Sequence, residues 1–287
     1  MVGGREPQVT LFARPANLTH ALDHLASGRW CILAGGTDIY PASVARPLNK
    51  PVLDISGLRE LRGIEHSDDG WRLGALTRWS DVVDCDLPPA FDGLKLAARE
   101  IGGVQIQNAG TVAGNLCNAS PAADGVPPLM TLDASVEVAS KRGRRAIPLG
   151  AFILGNRKTA IAEDELVTAV LVPSHAGNGR SHFEKLGARR YLVISITMVA
   201  VRLVLEARRI VEARVAVGAC SEAAIRLSVL ERDLIGARPE ALASILVEEH
   251  LAPLSPIDDI RASATYRRDA AFVLIGRSLQ SAAGCFQ

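Results

Sequence analysis

Gly110-Thr111-Val112-Ala113-Gly114-Asn115, running on into Leu116-Cys117-Asn118-Ala119-Ser120-Pro121-Ala122-Ala123-Asp124, is the stretch from which this chain is read. An earlier run, Leu33-Ala34-Gly35-Gly36-Thr37-Asp38, has the same make-up. Each places small residues, a hydroxyl and an amide or carboxylate on a tight turn. Such turns leave backbone N–H groups uncovered, because no Cβ blocks the approach of an anion. Two of them in one domain can hold an extended, doubly charged pyrophosphate from both ends.

Working outward, the spacing of Leu18, Ala21, Leu22, Leu25 and Ala26 predicts a helix stopped at Gly28, and residues 30–33 read as a short buried strand leading into the first turn. Further strands are expected over 52–55 and 71–75. A helix over 90–101 ends at Gly102-Gly103, just before the second turn. Strands over 136–140 and 146–148 flank the basic turn Lys141-Arg142-Gly143-Arg144-Arg145, which is either a solvated hairpin tip or a contact for a partner. A strand over 166–172 stops at Pro173. The polar, glycine-rich run 174–180 reads as a link to a second domain. There, 194–206 and 210–217 alternate as an antiparallel pair, followed by helices over 240–251 and 263–283, the last with Ser263 as N-cap.

The two turns and their flanks resemble the flavin-binding loops of the FAD subunit of molybdenum hydroxylases, the xanthine dehydrogenase and carbon-monoxide dehydrogenase flavoprotein family. The resemblance begins at Phe12-Ala13-Arg14-Pro15 and runs through Lys185-Leu186-Gly187-Ala188-Arg189-Arg190 to Tyr266-Arg267-Arg268, with its most specific block over 105–133. It implies an α+β fold: a vanillyl-alcohol-oxidase-like (PCMH-type) FAD-binding domain over 1–175, made of two α+β subdomains that part near 58–70. A small C-terminal domain with an antiparallel sheet and helices follows over 180–287. It also implies non-covalent FAD held by Ile32, Leu33, Ala34, Gly35, Gly36, Thr37, Asp38, Ile39, Gly110, Thr111, Ala113, Gly114 and Asn115.

Four more residues carry roles by the same resemblance. Asp124 corresponds to an aspartate that bonds a ribityl hydroxyl; alternatively it is a charge favouring the start of the helix before Pro127-Pro128. Lys185 corresponds to a lysine that contacts the flavin, where a cation favours the reduced, negatively charged ring; alternatively it is a solvated strand lysine. Ile101 and Val167 correspond to apolar residues beside the cofactor, or are plain core. The chain departs from the family at Ala113, where many relatives have Gly, and at Gln107, where many have Arg. Ala113 preserves close approach only if its φ is negative.

Other classes are disfavoured. Net charge is +1, which gives no global case for nucleic acid or membrane binding. No apolar run reaches the roughly 18–20 residues of a transmembrane helix, and the start, Met1 to Pro7, lacks the apolar core of a signal peptide. The five cysteines are scattered without a Cys-x-x-Cys pair, which suggests reduced thiols in the cytoplasm and no zinc or iron–sulfur site. His20 and His24 are spaced i, i+4 but lack a third ligand and read as an exposed helix face. Trp30, Trp71 and Trp79 read as core. Neither GxGxxG after a strand nor GxxxxGK[ST] occurs, so Rossmann and P-loop sites are not supported.

What the resemblance implies for activity is an electron-transfer subunit with no catalytic acid or base of its own. Electrons pass from [2Fe-2S] clusters on a small subunit to the FAD here and on to NAD+ or another acceptor, while an aldehyde, purine or other N-heterocycle is oxidised at a molybdenum cofactor on a large subunit. A dimer of heterotrimers is expected. Two rivals stay open: a self-sufficient flavin oxidoreductase of the same fold, for which Cys117 could form a covalent link, and a flavin-free scaffold.

Overall fold

The computed structural model describes residues 11–45, 50–189 and 193–285. The start Met1 to Pro7, read above for a signal peptide, and Arg190 of the family-like stretch lie outside the described residues.

Among the described residues, three larger sheets and the two-stranded hairpin of Ile153–Gly155 and Lys158–Thr159 organise the chain. The first is three-stranded and parallel, with Val52–Asp54 between Phe12–Ala13 and Cys31–Leu33. Parallel strands need a crossover, and the helix Leu18–Ser27 supplies it, capped by the Asn17 side chain accepting from His20 N. Leu18, Ala21 and Leu25 are its buried face; His20 is exposed and His24 half-buried beside the Trp30 ring.

The second sheet is five-stranded and antiparallel throughout, in the order Ile64–Ser67, Gly70–Gly74, Leu166–Pro173, Ser135–Ser140, Gly143–Pro148. The central strand Leu166–Pro173 is nearly continuous in Val, Leu and Ala because both its faces are covered. Helices Asp92–Glu100, Val112–Asn118 and Val126–Thr131 lie between the second and fourth strands of this order in sequence. Leu73, Leu94, Val112, Leu116, Leu129, Val136, Phe152 and Val170 pack with Trp79 in one core.

The third sheet is four-stranded and antiparallel: Arg180–Leu186, Thr197–Glu206, Arg209–Gly218, Ile225–Arg226. The helix Ala264–Ala282 covers it, with the Ser263 hydroxyl accepting from Tyr266 N as N-cap. Val199, Val201, Val215, Val217, Leu230, Ile275 and Leu279 form a second core.

The expected helix over 240–251 is broken. The chain instead makes Pro239–Ala241, Leu242–Ile245 and Glu248–Leu251 as separate short turns. The cause is local: Val247 is extended, and its N–H donates to Nδ1 of His250 at 3.1 Å rather than to a helical carbonyl. The basic turn at 141–145 is a hairpin tip, but its charges are matched. Lys141 pairs with Asp23 at 2.7 Å, Arg142 with Asp164, and Arg145 with Glu165 at 2.7 Å.

Candidate functional site

The strand Cys31–Leu33 delivers the first turn at its C-terminal end, and the helix Ile39–Ala45 leaves from it. Gly36 adopts φ +73°, and a Cβ there would stand 2.4 Å from the Tyr40 ring. The second turn follows the short helix Val104–Gln107, which the sequence reading passed over. It is locked from both sides: Trp79 N donates to Gly110 O at 3.2 Å and Val112 N to Thr77 O at 2.9 Å. The Thr111 hydroxyl accepts from Gly114 N at 3.0 Å, capping the helix Val112–Asn118. Ala113 lies in the first turn of that helix with negative φ, so the condition set by its departure from Gly is met.

The two turns touch. A Cβ on Gly35 would lie 1.9 Å from Ala109 O, and one on Gly110 3.3 Å from Thr37 Oγ1. Among the described residues, the N–H groups of Gly35, Gly36, Thr37, Asp38 and Ala113 have no hydrogen-bond partner. All five residues line a cleft of about 680 Å³. Ile32, Ala34, Gly35, Gly36, Thr37, Asp38 and Ile39 line one wall, and Gly110, Thr111, Ala113, Gly114 and Asn115 another. Ile101 and Val167 line it as well. The buried Oδ1 atoms of Asn115 and Asn118 also lack partners there. Buried polar atoms are normally satisfied. The orphaned N–H donors suit an anionic group, the two orphaned amide oxygens suit a group that donates, such as a hydroxyl, and the rest of the ligand-sized cleft suits an apolar part.

Three of the expected residues are absent from the cleft walls. Leu33 is buried in the protein. Asp124 and Lys185 meet each other instead: Lys185 Nζ donates to Asp124 Oδ2 at 2.8 Å and to Glu100 O at 3.1 Å. The Ser195 hydroxyl donates to Asp124 Oδ1 at 2.5 Å. Both charged side chains are less than a tenth exposed, at 5% and 9%. Burial pushes the Asp124 carboxyl above the usual carboxylate range, while Lys185 and Ser195 pull it back. This cluster joins the segment after the second turn to the strand Arg180–Leu186 of the third sheet.

Other residues reach the cleft without having been expected. Trp79 is core, as expected, but also lines the wall; Trp30, expected as core, lines one end. Asn118 follows Asn115 by one helical turn, a spacing visible in the sequence. Arg157 and Ile161 arrive from the hairpin of Ile153–Gly155 and Lys158–Thr159, which no motif announced. Arg157 Nη1 and Nη2 pair with both Asp38 oxygens at 3.2 Å. Cys117 faces the cleft; the enclosing walls push its thiol up to about 12. Its side chain is exposed, which argues for a smaller rise in the same direction, and a protonated thiol is a poor nucleophile. Among the described residues no cluster of His, Cys, Asp and Glu could hold a metal ion, and no helix is long and apolar enough to cross a membrane.

Comparison with known proteins bears on this site. Residues 7–175 match the family described as FAD binding domain in molybdopterin dehydrogenase, and residues 182–282 match the CO dehydrogenase flavoprotein C-terminal domain. The chain is 32% identical to the putative xanthine dehydrogenase FAD-binding subunit of Escherichia coli, over 89% of this chain and 90% of that protein. It is 32% identical to the nicotine 6-hydroxylase medium subunit of Paenarthrobacter nicotinovorans, over 94% and 96%. Its fold is similar to a chain of carbon monoxide dehydrogenase from Hydrogenophaga pseudoflava, with a TM-score of 0.88 and 25% identity over 98% of this chain and 99% of that one.

Proposed function

The chain belongs to the family of FAD-binding medium subunits of molybdenum hydroxylases, and we propose that it holds FAD without a covalent link in the cleft between the two turns. Its work is to pass electrons from [2Fe-2S] clusters of a small partner subunit to NAD+ or another acceptor. Oxidation of an aldehyde, purine or other N-heterocycle takes place at a molybdenum cofactor on a large partner subunit, within a dimer of heterotrimers in the cytoplasm. The observation that carries this reading is the joint at Gly35, where two turns meet and five residues with unpartnered N–H groups line one cleft.

FAD, when bound, supplies the redox chemistry, taking up electrons singly and releasing them to an acceptor. The residues of this chain bind, orient and enclose it. The amides of Gly35, Gly36, Thr37 and Ala113 would donate to the diphosphate, each contact to a charged oxygen being worth roughly 1.5–3 kcal/mol. Thr111 and Gly114 fix the second turn, and the orphaned Oδ1 of Asn115 would accept from a donor on the cofactor. Ile32, Ile39, Ile101 and Val167 supply apolar wall. Asp124, held on both oxygens by Lys185 and Ser195 away from the cleft walls, would brace the segment after the second turn rather than touch the cofactor. The matched domains are read as an FAD-binding unit over 1–175 and a C-terminal unit over 180–287.

The test uses the purified lone chain. It should carry roughly one flavin per chain, held in the cleft between the two turns. Acid precipitation should leave the yellow colour in the supernatant, and iron and molybdenum should be absent. Substrate-dependent dye reduction should appear only when iron–sulfur and molybdenum subunits are added. Colour retained in the pellet would overturn the non-covalent reading, with Cys117 the first residue to examine. Turnover of an aldehyde or heterocycle by metal-free, partner-free chain would replace the subunit reading by that of a self-sufficient oxidase.

A further inference from the structure

The acidic side chains that line the cleft are Asp38, Glu163 and Glu165. Two of them are matched from outside it: Glu163 by Arg29 at 2.6 Å and Glu165 by Arg145 at 2.7 Å. Among the described residues, Arg157 is the one lysine or arginine that lines the cleft itself. A site for a doubly charged diphosphate built only from backbone amides would leave that charge partly uncompensated. No motif in the sequence marks a cation for it.

The backbone around Arg157 is unusual in a way that bears on its side chain. In the hairpin, Gly155 faces Lys158, so Asn156 and Arg157 form the two-residue loop. Arg157 takes φ +55°, the left-handed region where a turn normally carries Gly. An L-residue with a long side chain costs about 1 kcal/mol there. Glycine would relieve that cost and lose only the guanidinium. The loop is also pinned in place: Arg157 N donates to Ala119 O at 3.1 Å, at the end of the helix that starts on the second turn. From that side the side chain reaches across to Asp38 on the first turn.

The pairing with Asp38 is end-on through both terminal nitrogens, at 3.2 Å each. Charge-assisted contacts are usually about 2.7–2.9 Å, so this one is loose. It leaves Nε–H and one N–H on each terminal nitrogen free to donate.

We propose that Arg157 is the cationic anchor for the cofactor's diphosphate: spanning the mouth of the cleft and aimed by Asp38, it donates to the phosphate oxygens that the two turns hold from below. This rests on the FAD reading given above. Asp38 is the positioning residue, and its bidentate pair keeps the guanidinium plane directed across the cleft.

The experiment measures flavin affinity of the full chain stripped of cofactor, by fluorescence titration with FAD and, separately, with riboflavin, which lacks the diphosphate. Arg157→Ala should weaken FAD binding about 10- to 100-fold, as for loss of a charged hydrogen-bonding group, and leave riboflavin binding unchanged within about twofold. The FAD affinity of the variant should also depend less on salt, because an ionic contact has gone. Arg157→Lys should recover part of the loss. FAD affinity of Arg157→Ala within about twofold of the parent would overturn the proposal. So would an equal loss for both flavins, which is the mark of a merely structural role. A parent chain that binds neither flavin would overturn the FAD reading itself, and this proposal with it.

Discussion

Gly35→Ala is the sharpest perturbation of the site. It adds one methyl group and no charge. That Cβ would fall 1.9 Å from Ala109 O and 2.7 Å from Ala109 C, both backbone atoms. Comfortable contact is about 3.5 Å, so the two turns must part by roughly 1.5 Å at their point of contact. Neither turn yields freely. The second is tied through Trp79 N and Val112 N, and the first is continuous with a strand paired to Val52–Asp54. Overpacking of this kind costs about 1–3 kcal/mol. In a domain of this size that lowers the melting temperature by about 3–10 °C. The effect on flavin should be larger than the effect on folding, because amides displaced by more than about 1 Å lose their aim at a shared ligand. Gly114→Ala is the control: its Cβ would meet only the Thr111 hydroxyl, at 2.8 Å, with no backbone of the other turn nearby. The assay is the flavin-to-protein ratio of each purified variant beside a thermal melt. Gly35→Ala should lose most of its flavin while still melting cooperatively, and Gly114→Ala should lose less. Full flavin occupancy in Gly35→Ala would refute the reasoning, because it would mean that the joint between the turns does not set the cofactor site.

Lys185→Met strands a buried carboxylate at Asp124 and should destabilise the flavin-free chain by about 3–5 kcal/mol in chemical denaturation, with Asp124→Leu/Lys185→Met recovering most of that loss. A double variant no more stable than the single one would show that the pair is not what matters there. Asp133 is pushed up by burial, but contacts from Arg226 at 2.8 Å and Arg214 at 3.1 Å outweigh that and hold its carboxyl below the usual range. A lowered folded-state value gives stability that is present above the unfolded-state value of about 3.9 and is lost as pH falls through the folded-state value. Melting temperature should therefore fall more steeply on acidification in the parent than in Asp133→Asn, and parallel curves would count against it.

The fold was legible where chemistry is local. The turns at Gly35 and Gly110 announce themselves by residues that no strand or helix interior would favour. The strands expected over 136–140 and 166–172, from apolar runs stopped by a basic turn and by Pro173, are found with one more residue each, as Ser135–Ser140 and Leu166–Pro173. Reading failed where a distant or unlabelled partner decides. His250 breaks a helix by taking one N–H from Val247. Arg157 enters the cleft from a hairpin whose turn lacks the glycine that would have marked it. The case of Asp124 and Lys185 goes further. Family resemblance reaches each of them separately and gives each its own contact with the flavin. The structure makes them one unit, joined at 2.8 Å between the turn after the helix Val112–Asn118 and the strand Arg180–Leu186, with Ser195 completing it. On separate roles, Asp124→Ala removes one hydrogen bond, worth on the order of 1–3 kcal/mol. On a shared one, it also leaves Lys185 as an unpaired buried cation, at a cost of about 3–5 kcal/mol in folding before any flavin is lost. A drop in flavin content of that variant therefore measures the cofactor contact only after the stability of the flavin-free chain has been subtracted. Ser195→Ala is the cleaner probe. It frees one carboxylate oxygen, keeps both charges, and should loosen the aspartate without breaking the pair.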